Sequence, residues 1–173
     1  NVAGLMLAAI ISDTLLFRSP TCTKTDKEIA LELASIAGVD AEEFGLAMFK
    51  AGTSLVGKTI EEIYNQDYKA FNIGDAKVGI AQVNTMDIDG FAPLKAEMLE
   101  YMENLCVENG FDTAVLLLTD VINATSEVFV AGTHPEYVEN AFNVQLVEHE
   151  ANLPGVISRK KQVVPAITRA INA

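Results

Sequence analysis

At Tyr68 the spacing of apolar residues changes from a helical to an alternating period, and no single regular element accommodates both. The pattern before this point reads as helix throughout. Residues 3–11 carry apolar side chains all round, which for a helix requires burial on every face. Thr25 is placed to cap a second helix that closes at Gly38, Asp40 to cap a third that ends at Gly52, and residues 59–65 read as a short fourth. Beyond it, residues 68–73 and 78–83 alternate like strands, with Gly74-Asp75 as the hairpin turn between them. A domain boundary near Gly57 follows, dividing the chain into 1–56 and 57–173. In the second part, 91–107 reads as an amphipathic helix ended by Asn109-Gly110. Buried strands are expected at 114–118 and 128–131 with a turn over 120–126, then a helix over 135–142 and an edge strand over 144–147. Val163, Ile167 and Ile171 set a helical stripe at the C-terminal end. The expected fold class is α/β, a helical segment followed by a mixed-sheet layer structure, with no internal repeat or low-complexity segment.

Half of the 173 residues are hydrophobic, enough to offset the entropy of ordering one domain or two small ones. Twelve Lys and Arg stand against 24 Asp and Glu, for a net charge of −12. Such a surface is unsuited to general nucleic-acid binding, which needs a positive footprint, and makes any cluster of cations informative. The two cysteines, Cys22 and Cys106, cannot build a disulfide framework or a cysteine zinc site and point to a reducing, cytoplasmic setting. The apolar stretch over 2–17 is shorter than the span of about 20 residues that a membrane requires, and Ser12, Asp13 and Thr14 interrupt it. It also lacks the basic start and cleavage site of a signal peptide. Because core-like sequence begins at once, the chain is expected to be a piece of a longer protein.

Three features can carry chemistry. Asp13 sits inside Ile10-Ile11-Ser12-Asp13-Thr14-Leu15-Leu16, where a buried carboxylate needs a cation, a metal or several donors. It reads either as a helix cap or internal acceptor, or as a metal ligand. The second feature is the run Ser158-Arg159-Lys160-Lys161-Gln162. If Ser158 caps the last helix, three cations occupy its first turn, where the macrodipole disfavours them by about 0.3–1 kcal/mol each. An anion held by helix N–H groups with Arg and Lys would reverse the sign, whereas a solvated basic turn needs no ligand. Pro165 either kinks this helix or opens it, leaving the basic run extended. The third feature, Lys69, alternates with Tyr68 and Phe71 and alone reads as an ordinary strand lysine. Asp120 reads as a strand terminator, Asp87 and Asp89 as dipole-stabilised residues near a helix start, and His134 and His149 as too isolated for a metal pair.

Several runs taken together resemble a known family. Ala3-Gly4-Leu5-Met6-Leu7, Ser12-Asp13-Thr14-Leu15-Leu16-Phe17, Ser19-Pro20-Thr21-Cys22-Thr23, Ala37-Gly38-Val39-Asp40-Ala41-Glu42-Glu43, Ala81-Gln82-Val83-Asn84-Thr85 and Ser158-Arg159-Lys160-Lys161-Gln162-Val163-Val164-Pro165 resemble the manganese-dependent, family II inorganic pyrophosphatases of the DHH phosphoesterase superfamily. The resemblance covers essentially the whole chain. It implies that 1–56 is the helical tail of a DHH catalytic domain plus linker, and 57–173 a DHHA2-type substrate-binding domain with a mixed sheet.

By the same resemblance, Asp13 is a ligand in a dinuclear Mn²⁺ site, with Mg²⁺ or Co²⁺ as possible occupants. Lys69 binds substrate phosphates, and Arg159 and Lys160 are both catalytic and substrate-binding. The implied partners are diphosphate and phosphate, with neither nucleic acid nor membrane, in a homodimer formed mainly by the N-terminal domain. The implied reaction is hydrolysis of diphosphate by a metal-activated hydroxide, with Arg159 gripping phosphate bidentately and Lys69 and Lys160 acting as mobile point charges. The family's other ligands, including its Asp-His-His run, do not occur here, so the chain alone is expected to be inactive. Altered self-association or disorder before residue 20 is expected as well. An exopolyphosphatase-like phosphoesterase and a non-catalytic anion-binding or regulatory module are the alternatives.

Overall fold

A computed structural model of the chain describes residues 2–53, 55, 57–86, 88–120 and 123–173, and divides into two compact units, Asn1–Ser54 and Leu55–Ala173. The boundary expected next to Gly57 and part of the turn expected over 120–126 lie outside the described residues, as do Asp87 and the side chain of Asp89.

The first unit consists of α1 (Val2–Thr14), α2 (Lys24–Ala37) and α3 (Ala41–Gly52), with α1 packed against both others. Ala3, Leu7, Ile11 and Thr14 form its buried stripe, while Val2, Leu5 and Met6 are exposed. The expectation of burial on every face is therefore corrected: two neighbouring helices cover one face of α1, and the rest of its apolar surface is open within this unit. The cap of α2 also differs from expectation. Thr23, not Thr25, accepts from the Asp26 N–H, and Asp26 Oδ2 accepts from the Thr23 N–H at 2.8 Å. Both threonines have an acidic residue three positions on; the chosen register lengthens α2 and closes a reciprocal capping box. The other ends follow the sequence. Gly38 takes the left-handed conformation (φ 73°) that ends α2, and Asp40 Oδ1 accepts from the N–H groups of Glu42 and Glu43.

The second unit begins with α4 (Ile60–Tyr64), capped by Thr59 and Glu62, and a 3₁₀ turn, Asn65–Asp67. It continues with β1 (Tyr68–Ile73), β2 (Ala76–Thr85), a 3₁₀ turn Asp89–Leu94, α5 (Lys95–Asn109), β3 (Thr113–Asp120), β4 (Thr125–Gly132), α6 (Glu136–Phe142) and β5 (Glu150–Pro154). A wide turn, Arg159–Val163, leads into α7 (Val164–Ile171). The sheet order is β1-β2-β3-β4-β5, antiparallel except where β2 pairs with β3. That parallel pair needs a crossover, which α5 supplies. β3 is buried along its whole length, which explains its unbroken apolar run. One face of the sheet packs Ala81, Val83, Leu116, Leu118 and Phe129 against α4 and α5. The other packs Val78, Ile80, Val115, Leu117, Val128 and Val130 against α6 and α7.

One further expectation changes. Residues 144–147 are not a strand: Asn143 turns the chain left-handed (φ 53°), Val144 and Leu146 pack into the α6–α7 side of the core, and Val147 makes only a bridge to Glu150. The edge strand is β5, where Ala151 and Leu153 point inward and Pro154 ends the pairing. Of the two alternatives for Pro165, the structure has it open α7 rather than kink it, with the basic run before it wound into a turn and not extended. The Lys161 N–H bonds Ser158 Oγ, the Gln162 and Val163 N–H groups both bond Ser158 O (2.9 and 3.3 Å), the Val164 N–H bonds Arg159 O, and Pro165 falls in the first turn of α7, where its missing N–H breaks little.

Candidate anion-binding site

The chemistry-bearing residues of the second unit gather where β1 begins. Period two puts Lys69 on the face of Phe71 and Ile73, the α6–α7 side of the sheet, with its side chain exposed. Its cross-strand neighbour is Ile80. Arg159 reaches the same place from the other end of the sequence. Its Nη1 donates to the carbonyl oxygens of Asp67 and of Ile80, the latter at 3.3 Å, and its Nη2 lies 2.6 Å from Asp67 Oδ1. Arg159 is thus bonded to the residue two before Lys69 and to the residue opposite it. Lys160 and Lys161 follow on the turn with exposed side chains. Two of the three proposed anion-binding residues are therefore joined through one strand pair, and the third adjoins Arg159 in sequence.

Ser158 caps the turn by accepting from the Lys161 N–H, and Gln162 accepts from the N–H groups of Ile157 and Ser158 while donating to Gly155 O. Gln82 of β2 accepts from the Arg159 N–H at 3.0 Å. Sequence reading assigned no role to Gln82 or Asp67. A polar residue breaking the alternation of β2 was the available signal for Gln82; Asp67, next to a strand start, gave none.

Asp13 belongs to the first unit, in the last turn of α1, and its side chain is exposed rather than buried. The premise of a buried carboxylate is corrected, but another local rule is broken there: negative charge at a helix C-terminus is disfavoured unless a cation offsets it. The chain then makes a left-handed turn through Leu15, Leu16 and Phe17 (φ 47°, 51° and 65°), uncommon for non-glycine residues. Leu16 N–H bonds Ile11 O at 2.9 Å, Ser19 N–H bonds Thr14 O at 2.8 Å, and Thr14 Oγ1 accepts from Phe17 N–H, so the turn is held at several points. Among the described residues no group of three or more His, Cys, Asp or Glu is placed to hold a metal ion. These side chains alone therefore do not fit a dinuclear centre.

The remaining candidates are structural. His134 Nδ1 sits 2.7 Å from Glu136 Oε1 and its ring stacks on Tyr137, while His149 Nδ1 bonds Val130 O. The His134 hydrogen bond holds the Glu136 carboxyl below its ordinary range. Asp120 accepts from the backbone and side-chain amides of Asn123. A cavity of about 490 Å³ is lined by Glu127, Glu148 and Glu150 among others, a surface that repels phosphate. No helix among the described residues is long and apolar enough to cross a membrane.

A five-stranded mixed sheet carrying a basic turn beside its first strand pair defines the class. The DHHA2 domain model matches residues 46–170, and the chain belongs to that family. It is 58% identical over 171 residues to a cobalt-dependent inorganic pyrophosphatase of Clostridium perfringens, covering 99% of this chain and 31% of the relative. It is 51% identical over 171 residues to a manganese-dependent inorganic pyrophosphatase of Bacillus subtilis, covering 99% of this chain and 55% of that one. A crystal structure from Methanococcus jannaschii, described as a candidate family II inorganic pyrophosphatase, superposes with a TM-score of 0.88 at 47% identity, over 99% of this chain and 56% of that one. The chain thus spans between about a third and just over half of the length of these relatives.

Proposed function

We propose that this chain supplies the cationic substrate grip, and one metal ligand, for hydrolysis of inorganic diphosphate to two phosphates. The observation that carries the reading is the convergence of Lys69 and Arg159 on one strand pair, in a chain of net charge −12. Negative surroundings make such a spot the attractive place for an anion. The names of the relatives, inorganic pyrophosphatases dependent on manganese or cobalt, support diphosphate as that anion.

In this reading Lys69 and Lys160 offer mobile ammonium groups to phosphate oxygens. Arg159 offers its fork once a phosphate oxygen replaces the Asp67 carboxylate, which is half-exposed and can swing into water at small cost. The three cations neutralise charge that grows on the leaving phosphate. Asp13 would serve as one ligand of a dinuclear Mn²⁺, Mg²⁺ or Co²⁺ site whose other ligands come from sequence outside this chain. That metal pair, when bound, supplies an activated water as nucleophile. The 173-residue chain alone is then inactive. The test is phosphate release from diphosphate with Mn²⁺: negligible turnover is expected, and turnover within about tenfold of the Bacillus subtilis relative would contradict the shared ownership of the metal site.

A further inference from the structure

The α6–α7 face of the sheet is aliphatic until the end where β2 and β3 finish and β4 begins. There three adjacent strands turn polar side chains into it: Gln82 and Asn84 of β2, Thr119 of β3 and Ser126 of β4. Thr119 and Ser126 are fully buried, where an unpartnered hydroxyl is costly. They are satisfied in one continuous chain. Ser126 Oγ donates to Val156 O (2.6 Å), so its single proton is used; the Thr119 hydroxyl therefore donates to Ser126 Oγ (2.9 Å) and accepts from Gln82 Nε2 (2.9 Å). Gln82 Nε2 also donates to Ile157 O (3.1 Å), and Gln82 Oε1 accepts from the Arg159 N–H (3.0 Å). The amide of Gln82 thus has one permitted orientation, fixed by donors and acceptors on both sides.

Gln162 braces residues 155–158 from within their own segment. Gln82 is different, because it ties the backbone of Arg159 to β2, the strand whose Ile80 faces Lys69. Its position thereby sets how far the basic turn stands from Lys69. We propose that Gln82 is a positioning residue for diphosphate binding, acting through the Arg159–Lys160 turn. This rests on the anion-binding reading above. A grip made of one rigidly placed guanidinium and two flexible lysines loses affinity when its anchor shifts, since a displacement of about 1 Å is enough to spoil multi-point contact.

The test uses the 173-residue chain with inorganic diphosphate as the probe, measured by calorimetric titration, and amide exchange at Arg159 measured by NMR. Gln82→Leu keeps the volume and removes both polar atoms; Gln82→Asn keeps the amide on a shorter arm and serves if the first variant folds poorly. Either substitution is expected to weaken diphosphate binding about tenfold and to speed exchange of the Arg159 amide. The same substitution in an Arg159→Ala/Lys160→Ala background is expected to change affinity less than about twofold, because the groups it positions are gone. Affinity and Arg159 protection unchanged in both variants would overturn the positioning role while leaving the grip intact. Absence of diphosphate binding in the unaltered chain would overturn the grip itself and the proposal with it.

Discussion

Arg159 Nη2 lies 2.6 Å from Asp67 Oδ1, with the arginine side chain 8% exposed and the aspartate 55% exposed. A buried guanidinium is therefore paired with a carboxylate that stands half in water, at the residue next to the first strand. The pair secures the strand and, in the proposed grip, also occupies the fork that a phosphate would use. Removing the carboxylate while keeping its shape separates these roles. Asp67→Asn is expected to raise affinity for diphosphate by about two- to fivefold, the equivalent of about 0.5–1 kcal/mol for a partly exposed pair. Titration calorimetry checks it, and weakened binding would mean that Asp67 assists the anion rather than competing with it.

Arg159 and Lys69 are expected to differ in what their loss does to the fold. Arg159→Ala leaves Ile80 O and Asp67 O without that donor in a buried corner, and should cost about 1–3 kcal/mol in urea unfolding. Lys69→Ala removes an exposed side chain and should stay within about 0.5 kcal/mol of the parent. Equal stabilities for the two variants would contradict the bonding described for the guanidinium.

Much of the second unit was legible in the sequence because its signals are local. Gly74-Asp75 joins two alternating runs, Gly110 ends α5, and the unbroken apolar stretch of β3 marks a strand covered on both faces. The misreadings arose where tertiary context decides. Val144 and Leu146 look like strand residues but are drawn into the α6–α7 core, leaving the pairing to β5. The extent of burial around α1 depends on how many neighbours it has, which its own composition does not encode. At the site, the basic run was visible as a violation of the helix-dipole rule, but its partner Asp67 lies 92 residues away in sequence and carries no pattern that announces it.

The capping box of α2 makes a pH prediction. The Thr23 backbone N–H, followed by the Thr23 hydroxyl, holds the Asp26 carboxyl below its ordinary value of 3.8. A carboxyl depressed in the folded state adds stability above its unfolded pKa, and that contribution fades as pH falls through the lower folded value. Helix α2 should therefore begin to fray at its first turn only below about pH 4, read from NMR shifts of residues 24–27. Thr23→Ala, which removes the hydroxyl and keeps the backbone N–H, should return the Asp26 titration part of the way toward its ordinary value, whereas Thr25→Ala should leave it in place. The opposite pattern would restore Thr25 as the cap.

The central claim is that Lys69, Arg159 and Lys160 form one grip for diphosphate, and calorimetric titration of inorganic diphosphate at low salt tests it most directly. The unaltered chain is expected to bind, with affinity falling as salt rises, and the Lys69→Ala/Arg159→Ala/Lys160→Ala variant to bind at least tenfold more weakly. Equal affinity in a variant that remains folded would show that the anion, if it binds, binds elsewhere, and would contradict the account.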